Sequence, residues 1–274
     1  MTHRIEPPAE ANRWLLAAAL AVAIVAFLAF FSAAQVASSG PGERVMARTI
    51  ADMTEIDNAI PDIQASLREA ADQSGVDPIP VPDFPIAVEV SRDTLLSADT
   101  DELRDEILTR SAARTYDDGV PVWDDTDPDA QQSIARSSTA GGMQAALGLV
   151  GPTPRVIFLA LAIISTLGAA ALTFALAAPM SALRRLTALG AVLTTAGMLA
   201  VLGALLLRLI TRAAADDPFA DSLADIALDA QNVGLRNAIT TSALGLAFVA
   251  LGVGGGILDE RRNSTDGLSF DRDI

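Results

Sequence analysis

Apolar and polar positions separate along this chain into four uncharged apolar stretches with unequal intervals between them. The first runs from Trp14 to Val36. The other three follow close together, at Val156–Ala178, Thr187–Ile210 and Asn237–Leu258. A helix needs about 20 apolar residues to cross a hydrocarbon layer of about 30 Å, and each stretch is long enough. No Asp, Glu, Lys, Arg or His lies in the central part of any of them; Arg208 sits near an end. The pattern predicts an all-α integral membrane protein: a four-helix transmembrane bundle with a mostly α-helical extracytoplasmic domain inserted between the first and second spans.

The expected segments are a cytoplasmic N-terminus (1–13), the first span (14–36), an acidic helical domain (37–155), the second span (156–178), a short hairpin (179–186), the third span (187–210), a loop with a short amphipathic helix (211–236), the fourth span (237–258) and a tail (259–274).

Within the long interval, apolar residues recur at Met46, Ile50, Met53, Ile56, Ile60, Ile63, Leu67 and Ala70, close to the spacing of a coiled-coil seam. This stripe faces either a second chain or the helices of its own domain, and the second is the expectation. Pro61 is expected to kink or split the run, because a proline removes an amide donor and crowds the preceding turn. Gly75 should end it. Pro78, Pro80, Pro82 and Pro85 then predict an extended, stiff linker whose Ile79, Val81 and Phe84 seek burial. Ile86–Val90 reads as one short strand, too little for a sheet. A helix is expected from Thr100 to Tyr116, with Asp99 and Glu102 forming a capping box and Asp118-Gly119 ending it. Asp127-Pro128 should open another, loosened at Gly141-Gly142.

Charge sharpens this division. The chain carries −15 overall, and the interval from Ala37 to Arg155 alone holds 22 Asp and Glu against nine Arg, a net −13. The loop before the fourth span holds five Asp against two Arg, a net −3. All 19 basic residues are arginine. Absence of lysine and excess of Asp suit a salt-adapted surface, where salt screens the repulsion; codon use in a GC-rich genome produces the same bias. The acidity excludes a nucleic-acid partner, which needs a basic face.

Arginine placement orients the chain. Counted near the span ends, the arginines of the two sides tie at seven each, but the hairpin between the second and third spans is short and holds Arg184 and Arg185. Short loops weigh most, and long polar segments translocate largely regardless of charge. Both termini are therefore expected in the cytoplasm of a cell-membrane protein. Ser32-Ala33-Ala34 has the small residues of a leader cleavage site, but the apolar stretch exceeds the usual 7–15 residues of a leader, so an uncleaved anchor is expected.

Candidate chemistry is sparse. There is no cysteine, which removes disulfides and thiolate metal sites, and the one histidine is His3, so histidine-based triads and zinc sites lack their ligand. Asp124, Asp125, Asp127 and Asp129 have the ligand density of a calcium loop without its glycine and closing Glu. Asp217, Asp221, Asp225 and Asp229 recur every four residues behind a helix start at Pro218. They are metal candidates, with a solvated face and pairing with arginines of the large domain as the competing readings. Phe219, Leu223 and Ile226 would line the opposite face. Arg110, Arg114, Tyr116 and Trp123 form either a buried polar junction or the edge of a partner-binding surface. No cofactor is implied. The spans lack the charged groups of ion pathways and the repeats of transporters. They carry small residues at packing intervals, Ala196, Ala200 and Ala204 in the third and Gly252 with Gly256 in the fourth.

In layout alone, one span, a long segment and three more spans, the chain resembles claudin-like tetraspan proteins. It has neither the paired cysteines nor the tryptophan motif of that family, and tetraspanins, with a later large loop and cysteines, fit less well. The expected function is non-enzymatic: a scaffold or accessory subunit whose acidic outer domain meets another membrane or envelope protein, or a second copy, while the spans meet lipid. A sensor ectodomain signalling through a separate partner is the first alternative, since the tail and the N-terminal segment are too short for a kinase, cyclase or ATPase domain. A metal-assisted envelope enzyme is the second.

Overall fold

The computed structural model describes residues 10–73, 77–82, 84–119, 148–214 and 218–266. The chain is mostly helical. In order come α1 (Glu10–Val36), α2 (Ser39–Thr54), α3 (Ile56–Gln73), β1 (Ile79–Pro80), β2 (Glu89–Val90), α4 (Arg92–Ser97), α5 (Thr100–Asp118), α6 (Pro152–Ala177), α7 (Ala182–Ala213) and α8 (Pro218–Asp266). Four helices, α1, α6, α7 and α8, are long and apolar enough to cross a membrane. The helix expected at Asp127-Pro128 and the Gly141-Gly142 pair lie outside the described residues, as does Gly75.

The chain divides into two compact units. One comprises Met1–Ser32, Leu159–Leu207 and Asn232–Ile274; the other comprises Ala33–Phe158 and Arg208–Gln231.

In the first unit, Leu20, Ala21, Leu176, Val192 and Ala196 form the buried centre, with Leu16, Ile24, Leu172 and Leu189 against it. Large apolar side chains otherwise point outward; Phe174 is 78% exposed. A surface of that kind is stable in lipid, where burial of apolar area gives no drive, and close packing must hold helices together instead. The seam between α7 and α8 shows how. A Cβ built on Gly190 would stand 2.7 Å from the carbonyl oxygen of Gly245, and one on Gly245 would stand 2.8 Å from that of Gly190. Gly197 meets Ala238 and Ser242, and Gly252 meets Leu183 and Thr187, equally closely. The pairings run in opposite directions along the two helices, so the seam is antiparallel, with glycines seven apart on each side. Of the small residues singled out by four-residue spacing, Ala196 is buried and Gly252 sits in the seam, whereas Gly256 faces open space. Hydroxyls in these helices bond back to the carbonyl four residues earlier, as at Thr166, Thr187, Thr194, Thr241 and Ser242. That satisfies a polar group locally where no water is at hand.

The second unit is built the other way round. Its core comprises Met46, Ile50, Ile56, Ile60, Leu67, Ile79, Ile86, Val90, Leu103 and Ile107 among others, and Met53, Ile63 and Ala70 pack against it. The whole stripe of the sequence pattern thus faces this core. The break in the stripe is not at Pro61, which lies inside α3, but at Glu55, whose left-handed backbone (φ 45°) ends α2. Pro61 falls early in α3, where it removes a single amide donor. The capping box of Asp99 and Glu102 is present, and Gly119 (φ 80°) ends α5 in a backbone conformation that suits glycine. A short helix, α4, is capped by Ser91, whose hydroxyl accepts from the amide of Thr94 at 3.2 Å.

Two expectations change. The proline-rich segment is a strand rather than a linker: Ile79 pairs with Val90 and Pro80 with Glu89 in an antiparallel ladder, extended by Val81 donating to Val88 at 2.9 Å. The amphipathic segment before the fourth span is not a separate helix either; α8 runs unbroken from Pro218 through that span. Nothing in residues 218–236 breaks a helix, so the end of the apolar pattern marks a change of surroundings and not of backbone.

Candidate functional site

Of the four aspartates on a four-residue repeat, Asp217 lies outside the described residues. Asp221, Asp225 and Asp229 project from the first turns of α8 and are exposed. Between them Ala224, Ile226 and Leu228 are buried, and Leu223 packs against the core of the second unit. Asp229 accepts a hydrogen bond from the Arg48 guanidinium of α2 at 2.6 Å. The pairing of this segment with an arginine of the long interval is therefore realised. Both side chains are about 60% exposed, so the pair fixes register more than it adds stability. Among the described residues, no three His, Cys, Asp or Glu side chains come together as a metal site. The acidic run at Asp124, Asp125, Asp127 and Asp129 lies outside them.

Arg110, Arg114 and Tyr116 share the C-terminal half of α5, and each is engaged within its own unit. Arg110 donates to the carbonyl of Glu89 at 2.7 Å and to the carboxylate of Glu106 at 2.6 Å. Arg114, one turn on, donates to the carbonyl of Ala87 and lies 3.7 Å from Asp118. Tyr116 is buried and its hydroxyl donates to the carbonyl of Ala37 at 3.1 Å. Its ring packs beside Gly42, where a Cβ would stand 3.1 Å from the ring edge and 2.9 Å from Val150. The three residues form a polar junction that ties α5 to β2, to the turn before α2 and to the segment entering α6. Trp123 lies outside the described residues.

Other arginines are used alike. Arg92 donates to the carbonyl of Ala71 at 2.7 Å while its amide donates to Asp77 at 3.0 Å. Arg104 binds Asp57 and Asp105. Its hydrogen bond to Asp57, above the charge attraction, holds the guanidinium more firmly protonated than an ordinary arginine. Several of the unit's few cations thus stitch backbone to backbone, and many carboxylates are left in solvent.

Pattern reading did not find the hairpin edge or the glycine seam. The signals were there: prolines at every second position opposite an alternating Ile-Ala-Val-Glu-Val run, and glycines seven apart in two successive spans.

Compared with known proteins, the chain matches no family model, no curated protein and no solved structure.

Proposed function

We propose that this chain is a non-enzymatic multi-pass protein of the cell membrane that presents an acidic helical domain on the extracytoplasmic side, as a scaffold or accessory subunit of a membrane or envelope complex. One observation carries the reading: the two acidic intervals belong to one folded unit, joined by the Arg48–Asp229 pair and by Leu223 in its core. They stand on the same face of the membrane whichever way four spans insert, so their negative charge is pooled on one surface. Arg184 and Arg185 in the short hairpin support an outside position for that surface, because short basic loops tend to stay in the cytoplasm. A pooled acidic surface suits a partner with basic side chains and repels nucleic acid and anionic headgroups.

Purification of the full chain from its native membrane in mild detergent tests the proposal. A stoichiometric membrane or envelope protein that leaves the complex as salt is raised is the expected result. A lone monodisperse chain at every salt concentration would contradict a subunit role.

A further inference from the structure

The small sheet in the second unit has two edges, and the chain closes each in a different way. In an antiparallel ladder alternate residues turn their amide and carbonyl groups toward the partner strand, and the rest turn them outward. Val81 donates to Val88, so Val81 and Val88 face inward, as do Ile79 and Val90. Outward-facing positions on the first strand are therefore 80 and 82, and both are proline. Neither has an amide proton, so that edge offers no donors. Outward-facing positions on the second strand are Ala87 and Glu89. Their carbonyls are the two that accept from Arg114 and Arg110. Both arginines rise from α5, one turn apart, and stay 44% and 42% exposed.

We propose that Arg110 and Arg114 guard the outer edge of β2 against pairing with the same edge of a second copy of this chain. An unpaired edge is a template for another strand, and charged side chains are a common protection. A second copy is the occupant that fits because the edge is self-complementary. About a twofold axis at Val88, Ala87 of one copy stands opposite Glu89 of the other and the reverse, so each supplies two donors and two acceptors. The proline edge cannot substitute for it. Glu106 and Asp118, paired to the same arginines, hold the guanidiniums in place over the carbonyls.

The chain has no cysteine, which gives a clean reporter. Ala87→Cys/Glu89→Cys is introduced into the full chain in detergent micelles, with and without Arg110→Met/Arg114→Met, at high ionic strength, and oxidised. The arginine-free chain is expected to give at least tenfold more disulfide-linked dimer, while Arg110→Lys/Arg114→Lys stays at the level of the unaltered arginines. Equal dimer yield with and without the arginines would overturn the proposal. So would an equal rise at an exposed reporter outside the sheet, Leu96→Cys in α4, which signals general aggregation. If the double substitution does not fold, the single Arg110→Met and Arg114→Met chains carry the test, each expected between the two extremes; yields equal to the parent in both would overturn it.

Discussion

The two units of this chain solve opposite problems with the same small alphabet. The first turns its large apolar side chains outward and holds its helices together at glycines, so contact is made by backbone against backbone. The second turns its apolar side chains inward, covers itself with carboxylates, and uses arginines to tie carbonyls of neighbouring segments. What differs is the solvent each must satisfy. Lipid supplies no drive for apolar burial, hence the close seam; hydroxyls bond back to carbonyls four residues earlier in both units, as at Thr194 in the first and Thr49 and Ser111 in the second. Water supplies that drive, so the second unit has an ordinary core and an expendable surface.

The contrast can be broken most severely at the seam. Replacing Gly190 or Gly245 by Leu forces a side chain into the facing backbone and is expected to cost upward of about 3 kcal/mol, leaving little monodisperse chain after extraction in mild detergent. The same change at Gly168 or Gly203, where nothing lies within 4 Å, should stay within about 0.5 kcal/mol. Equal effects at all four positions would mean that the seam does not hold α7 to α8. In the second unit the largest polar effect is expected at Tyr116→Phe, which leaves the buried carbonyl of Ala37 without its donor and should cost about 1–2 kcal/mol in thermal unfolding of the detergent-solubilised chain. Thr115 beside it is fully buried, and its hydroxyl has no hydrogen-bond partner among the described residues. Thr115→Val keeps the shape and is expected to stabilise by about 1 kcal/mol; a loss would reveal a partner for that hydroxyl. Smallest of all, Asp229→Asn should change stability by less than about 0.5 kcal/mol, since the pair it breaks is exposed.

The sequence made the four spans legible because composition holds uniform over 20 residues and more, and the stripe from Met46 to Ala70 because eight apolar residues keep the spacing over seven steps. What stayed hidden was marked by single residues or by distant partners. The break at Glu55 has no compositional sign, since a left-handed residue is usually glycine or asparagine, and Pro61 drew the expectation to itself. Strand pairing of Ile79 with Val90 depends on a turn that no short motif announces. That Arg110 and Arg114 end on carbonyls 21 and 27 residues away could not be read from an arginine pair on a helix face. The seam is not marked by four-residue spacing of small residues, because antiparallel helices with a shallow crossing meet every seven residues.

The central claim is that the two acidic intervals form one body on one side of the membrane. Single cysteines placed at Asp93, Asp225 and Ser181 of the otherwise cysteine-free chain test it directly, by labelling intact cells with a membrane-impermeant maleimide. The account predicts that positions 93 and 225 label together from outside and that position 181 labels only after the membrane is opened. Labelling of 93 without 225, or of 181 in intact cells, would contradict it.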